Sequence, residues 1–136
     1  MRRGTFFTTD IASIGDEEYH NTDSEEILIS NDEEIAVTGV GTCGSTAANN
    51  ISFYFAIMVN GIWSDDPDDD AVPSNPYTVL HVVQKSSKVV AGSAIIDVGP
   101  AERIKITKIY NGATDNTNGD VSLVNCHYSI KKGIGT

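Results

Sequence analysis

The stretch NNISFYFAIMVNG, Asn49 to Gly61, decides the fold. Ile51, Phe53, Phe55, Ile57 and Val59 fall on one side of an extended chain, and Ser52, Tyr54, Ala56 and Met58 on the other. Side chains of a strand alternate between its two faces. The segment therefore predicts a long β-strand with one strongly apolar face. It ends at Asn60-Gly61, a pair suited to the left-handed backbone of a tight hairpin turn.

The same alternation recurs on both sides of this strand, in EEILIS (25–30), EEIAVTGV (33–40), YTVLHVVQ (77–84), KVVAGS (88–93), AIIDV (94–98), RIKITKIY (103–110) and VSLVNCHYSIKK (121–132). Asn118-Gly119 suits a tight hairpin turn before the last of these. No segment places apolar residues at the spacing of three, four and seven that marks an amphipathic helix. An all-β, antiparallel sandwich in a single domain is expected. Its extent is read as residues 25–136, preceded over residues 1–24 by an extended arm and an acidic linker; the acidic run GDEEYHNTDSEE (15–26) crosses that boundary. The arm carries Phe6, Phe7, Ile11 and Ile14, which the linker separates from the sandwich. Apolar side chains so placed point to an arm that orders on a neighbouring molecule.

Just before the long strand, GVGTCG (39–44) spells the G-x-G-x-x-G pattern of a phosphate-cradling turn. That turn works only where its last glycine opens a helix, whose N-terminus receives the phosphates. Here Ser45 to Asn50 leave no room for one. The glycines are read instead as a small-residue loop joining two antiparallel strands, and no nucleotide or other cofactor is expected.

The 136 residues carry a net charge of −10, unevenly spread: residues 1–70 hold fifteen acids and two bases, and residues 71–136 hold four acids and seven bases. Nucleic-acid binding needs basic groups to displace counterions from phosphates, so no nucleic-acid partner is expected. No apolar run approaches the roughly 20 residues of a membrane span, and no membrane partner is expected. The opening MRRGTFFTTD lacks the apolar core of a signal peptide. The two cysteines, Cys43 and Cys126, are too few for a disulfide framework; they read as two free thiols, with a single bridge between them as the alternative.

The densest polar run is SDDPDDD (64–70), with Asp65, Asp66, Asp68, Asp69 and Asp70. It lacks the glycine and glutamate of an EF-hand loop and reads as an exposed, solvated excursion, so no metal is expected. The three histidines are scattered and no zinc or acyl-transfer motif is present, so no catalytic residue is assigned and the chain is not expected to be an enzyme. His81, Ser93 and Asp97 form a triple only if the fold brings them together. Trp63, with Tyr54 or Tyr77, offers aromatic rings for stacking a sugar, and with Asp65 and Asp66 it marks the alternative ligand loop.

From Glu33 onward the order of features, Thr38-Gly39 closing an early strand, then ISFYFAIMVNG, AGSAIIDVGPAERIKITKIYNG and a last strand ending in YSIKK, resembles tumour-necrosis-factor-like and complement-globular-head jelly rolls. It is most similar to the small versions found as phage capsid decoration (cement) proteins and as fibre or spike heads. The chain departs from them in having Gly99-Pro100-Ala101-Glu102 where they carry Gly-Asp. The resemblance implies a jelly-roll homotrimer, with Phe53, Tyr54, Phe55, Tyr110 and Tyr128 divided between core and trimer interface. It further implies a structural virion protein, assembled in the host cytoplasm, whose partner is the major capsid protein or another virion protein. On that reading Phe6, Phe7, Ile11 and Ile14 supply the capsid-contact arm. The alternative is a receptor- or carbohydrate-binding head using Trp63, Asp65 and Asp66.

Overall fold

The computed structural model describes residues 1–30, 32–68, 71–114 and 118–132. Asp69, Asp70 and part of ATDNTNGD (113–120) therefore lie outside the described residues. Eleven strands and no helix are found among those described: β1 Arg2–Thr5, β2 Ile11–Ile14, β3 Tyr19–His20, β4 Ile27–Leu28, β5 Glu33–Thr42, β6 Asn50–Val59, β7 Ile62–Trp63, β8 Thr78–Val83, β9 Val89–Ile96, β10 Arg103–Asn111 and β11 Val121–Lys132.

They form two antiparallel sheets. Sheet A runs β1–β11–β5–β9, with β2 also on β11; sheet B runs β3–β10–β6–β7, with β4 on β10 and β8 on β6. Several short strands are pieces of one edge. β1 pairs with His127–Ile130 and β2 with Val121–Val124, so together they flank β11; β3 and β4 share β10 in the same way. β7 and β8 likewise share one edge of β6, so merging the pieces leaves four strand positions per sheet, and from β4 onward most connections cross from one sheet to the other. This is an antiparallel jelly roll.

The core lies between the sheets. From sheet B come Ile51, Phe53, Phe55, Ile57, Ile104, Ile106 and Ile109; from sheet A come Ile35, Val37, Val90, Ile96, Val124, Cys126 and Ile130. The predicted alternation of 51–59 is observed, and the turn that closes it has positive φ at both Asn60 (53°) and Gly61 (76°). Two expected strands, 88–93 and 94–98, are one continuous strand, β9, because Gly92 and Ser93 do not interrupt the ladder to β5.

Two irregularities keep polar side chains out of this core. RIKITKIY has one residue too many for strict alternation: continued past Thr107, it would aim Lys108 inward. A bulge between Ile106 and Lys108 places Lys108 opposite Tyr54, on the outer face, and returns Ile109 to the inside opposite Phe53. A second bulge in β11 uses the positive φ of Leu123 (51°), so Val121 and Val124 both face inward while Leu123 is exposed.

The glycines of GVGTCG correct the expected loop. Gly39 and Gly41 lie inside β5, with φ in the ordinary extended range. A Cβ on Gly39 would fall 2.5 Å from the Phe53 ring, and one on Gly41 2.9 Å from Ile51. These glycines let β5 approach the large side chains of β6, a packing role rather than a turn.

The first 24 residues also differ from the expectation of a separate arm. Phe6 (0% exposed), Phe7, Ile11 and Ile14 all belong to the main core. The Phe6 ring meets Phe55 and Tyr128 edge-on, and its N–H donates to the Cys126 carbonyl at 2.9 Å. Asn125, itself buried, holds the turn that follows: its Nδ2 donates to the Phe7 carbonyl and to Asp10, and its Oδ1 accepts from the Phe7 N–H. Sequence distance hid this docking, since Phe55 lies almost fifty residues away and the β11 partners Asn125, Cys126 and Tyr128 more than a hundred. The expected hairpin at Asn118-Gly119 is likewise replaced, because β10 and β11 belong to opposite sheets.

Candidate functional site

The outer face of sheet B carries the most unusual chemistry in the molecule. Its centre is β10, where the bulge brings Lys105 and Lys108 to the same side. Both are nearly inaccessible, with 5% and 1% of their surface exposed. An isolated buried ammonium is costly, so each must be paired. Lys105 Nζ donates to Asp23 at 2.8 Å and approaches Asp66 at 3.5 Å, and it lies 4.3 Å from the centre of the Trp63 ring. Lys108 Nζ donates to Asn21 Oδ1 at 3.1 Å and to the Asp68 carbonyl at 2.9 Å.

Those partners come from two loops, the β3–β4 connection and the acidic excursion after β7. The excursion is thus not simply solvated, as expected from its sequence. Asp65 is buried and accepts from the Asn75 N–H, Ser64 bonds both ways with Ile57, and Asp66 and Asp68 reach the lysines. The missing signal was on another strand, since nothing in SDDPDDD reveals that two lysines wait beneath it.

Beside Lys108 three tyrosines gather. Tyr19 and Tyr110 are cross-strand partners with ring centres 4.6 Å apart, and Tyr19 also reaches Tyr54, at 6.3 Å. All three are partly exposed. Burial first, then the neighbouring phenols Tyr54 and Tyr110, push the Tyr19 hydroxyl above its ordinary value of 10.0. Next to Tyr110 on the same face, Ser52 Oγ lies 2.8 Å from His81 Nδ1. Among the described residues no protein group bonds the other nitrogen of that ring.

The two loops border an open polar cleft of about 1260 Å3, lined by Asn21, Thr22, Asp23, Asp66, Pro67, Asp68 and Ala71. Among the described residues no group of three or more His, Cys, Asp or Glu side chains is arranged to hold a metal ion.

The sequence-predicted residues divide as follows. Phe53 and Phe55 are core, fully buried. Tyr128 faces the interior against Phe6, while Tyr54 and Tyr110 are on the outer face of sheet B. Trp63 is on that face too, with one face of its ring taken by Lys105, and Asp65 is buried under its own loop. Asp66 borders the cleft. His81, Ser93 and Asp97 are not brought together. Ser93 bonds Thr38 on the outer face of sheet A, His81 points outward from sheet B, and Asp97 caps the Gly99 N–H. Cys43 and Cys126 are buried free thiols.

The outer face of sheet A is different in kind. Ala36, Thr38, Ala91 and Ser93 make its centre small and uncharged, and Val89 and Ile95 of the edge strand β9 are 75% and 68% exposed. Charged groups such as Arg3, Glu34 and Lys131 are confined to one end and the β1–β11 side. No helix among the described residues is long and apolar enough to cross a membrane. No protein-family profile matches the sequence, and no curated protein is significantly similar to it.

Proposed function

We propose that the protein is a structural component of a virus particle, a capsid decoration protein that acts as a homotrimer of tumour-necrosis-factor-like jelly rolls. The observation that carries this reading is the outer face of sheet A. A monomer gains nothing from leaving Val89 and Ile95 in water beside a flat, uncharged sheet surface, and β9 is an edge strand without one charged residue or proline. Native sheets normally guard such edges with charge, proline or cover. Cover by a second copy supplies the missing guard, and small side chains at the centre of the face permit close approach. Burying apolar area there contributes about 25 cal/mol per Å2 before ordering costs.

Support for attachment to a particle comes from the shape of the molecule. It is a sandwich whose two outer faces differ in character, one largely uncharged for self-association and one polar and acidic left outward. The N-terminal segment, being part of the core, is not the anchor in this reading; the capsid contact falls on the trimer surface itself.

The test is light scattering of the purified protein at micromolar concentration, followed by co-sedimentation with isolated capsids. Wild type is expected at three times the chain mass and in the capsid pellet. Ile95→Lys is expected to return the monomer mass with its melting profile still cooperative. A monomeric wild type would refute the assembly, and a trimer that stays in the supernatant would refute the decoration role.

A further inference from the structure

We propose that the outer face of sheet B is a binding site for a neutral oligosaccharide, seated in the cleft between residues 21–23 of the β3–β4 loop and residues 66–68 of the acidic excursion and resting on the Tyr19, Tyr54, Tyr110 cluster. The inference is independent of the assembly reading, which uses the opposite sheet.

The geometry argues for a ligand of this chemistry in three steps. The first is electrostatic. Lys105 and Lys108 lie buried beneath the two loops, and their ammonium groups are already held by Asp23, Asp66, Asn21 and the Asp68 carbonyl. What the walls still offer is mostly acceptors. Asp23 and Asp66 keep 45% and 70% of their side-chain surface in water, and an ionised carboxylate has about four lone-pair positions, of which each spends one on Lys105. Such walls repel an anion and accept hydroxyl donors.

The second step concerns the aromatic rings. Three tyrosines on the solvent side of a sheet bury no core. Tyr54 is the cross-strand partner of Lys108 and Tyr110 lies two residues along the same strand, while the Asn21 and Asp68 partners of Lys108 border the cleft, so Lys108 links the rings to the acceptor-bearing loops. Sugar rings present an apolar C–H face to an aromatic and hydroxyls to polar groups at the rim, which is the division found here.

The third step is rigidity. Loops that must order around a ligand lose affinity to entropy. Here the lysine contacts fix both walls in advance, and the Ser24 hydroxyl and N–H tie the first loop to Ile106 of β10. Trp63, the aromatic most conspicuous in the sequence, serves this scaffold through Lys105 rather than the ligand.

The experiment is titration calorimetry, with saturation-transfer NMR for weak binders, using trimers of glucose, galactose, mannose and N-acetylglucosamine. At least one is expected to bind at millimolar concentration or better. Thr22→Trp, an exposed position that removes no packing, is expected to block the cleft and weaken that binding at least tenfold. Tyr110→Ala should do the same while Tyr110→Phe retains it, with melting curves confirming that each variant is folded. The proposal is overturned if none of the four binds at millimolar concentration, or if binding survives both Thr22→Trp and Tyr110→Ala.

Discussion

Phe6 and Phe55 meet edge to face with ring centres 5.6 Å apart, although almost fifty residues and a change of sheet separate them. The contact makes the start of the chain a structural member of the sandwich. Edge-to-face rings contribute about 0.5–1.5 kcal/mol beyond their buried area, and the fully buried Phe6 also fills space against Tyr128. Phe6→Ala should therefore cost about 3–5 kcal/mol, read by urea denaturation. Deleting residues 1–20 should abolish cooperative unfolding altogether, because β1, β2 and β3 leave with it. A truncated protein with an unchanged midpoint would show that the segment is dispensable.

How far the sequence reveals this molecule depends on the range of the interaction. Local period-two patterning in 51–59 and 33–40 is enough to identify strands and their inner faces, and so the all-β class. Bulges are less visible, since Thr107 and Leu123 look like ordinary strand residues until their partners are known. Docking of Phe6, Phe7, Ile11 and Ile14 was not legible, because an acidic stretch between two apolar ones reads equally as a linker and as the outer surface of an edge. For the candidate site, the tyrosines and aspartates are each plain in the sequence. Their convergence on Lys105 and Lys108 is a product of topology.

The buried lysines give the second prediction. Lys105→Ala removes a charge-assisted bond to Asp23 and the stem that packs on Trp63. Both carboxylates left behind are largely in water, so the loss stays moderate, about 1–3 kcal/mol. Lys105→Met keeps the stem and should recover much of it. Asp66→Asn, at a contact of 3.5 Å with 70% exposure, should change stability by less than about 1 kcal/mol. Chemical denaturation ranks the three. Limited proteolysis should show faster cleavage within 64–68 for Lys105→Ala alone.

Gly39 separates a packing role from a nucleotide-binding one. Adding a methyl group there drives it into the Phe53 ring, which is fully buried and has nowhere to yield. Gly39→Ala should destabilise by about 1–3 kcal/mol through overpacking. Gly39→Ala combined with Phe53→Leu should be less destabilised than the sum of the two single changes. Neither ATP nor NAD should shift the melting temperature of the wild type; a saturable shift would restore the phosphate-cradle reading of GVGTCG.

Acid sensitivity should arrive in two windows with different owners. His20 packs edge-on against Phe7, and burial holds its pKa below the ordinary 6.5. As pH falls through 6.5 the unfolded chain takes up the proton before the folded one does. Stability is therefore flat above that pH and declines below it until the folded value is passed. Glu33 accepts from the Ser30 N–H at 2.9 Å and from Arg2 at 2.8 Å, and these bonds, the Ser30 one foremost, hold its pKa below the ordinary 4.5. Its contribution is present at neutral pH and fades only as pH falls through 4.5 toward the folded value. Melting temperature measured between pH 8 and pH 3 should thus drop first below 6.5 and again below 4.5. His20→Phe should remove the first drop and leave the second, whereas Glu33→Gln should reduce the second and leave the first. If His20→Phe leaves the decline below 6.5 unchanged, the proton that matters there is carried by another group.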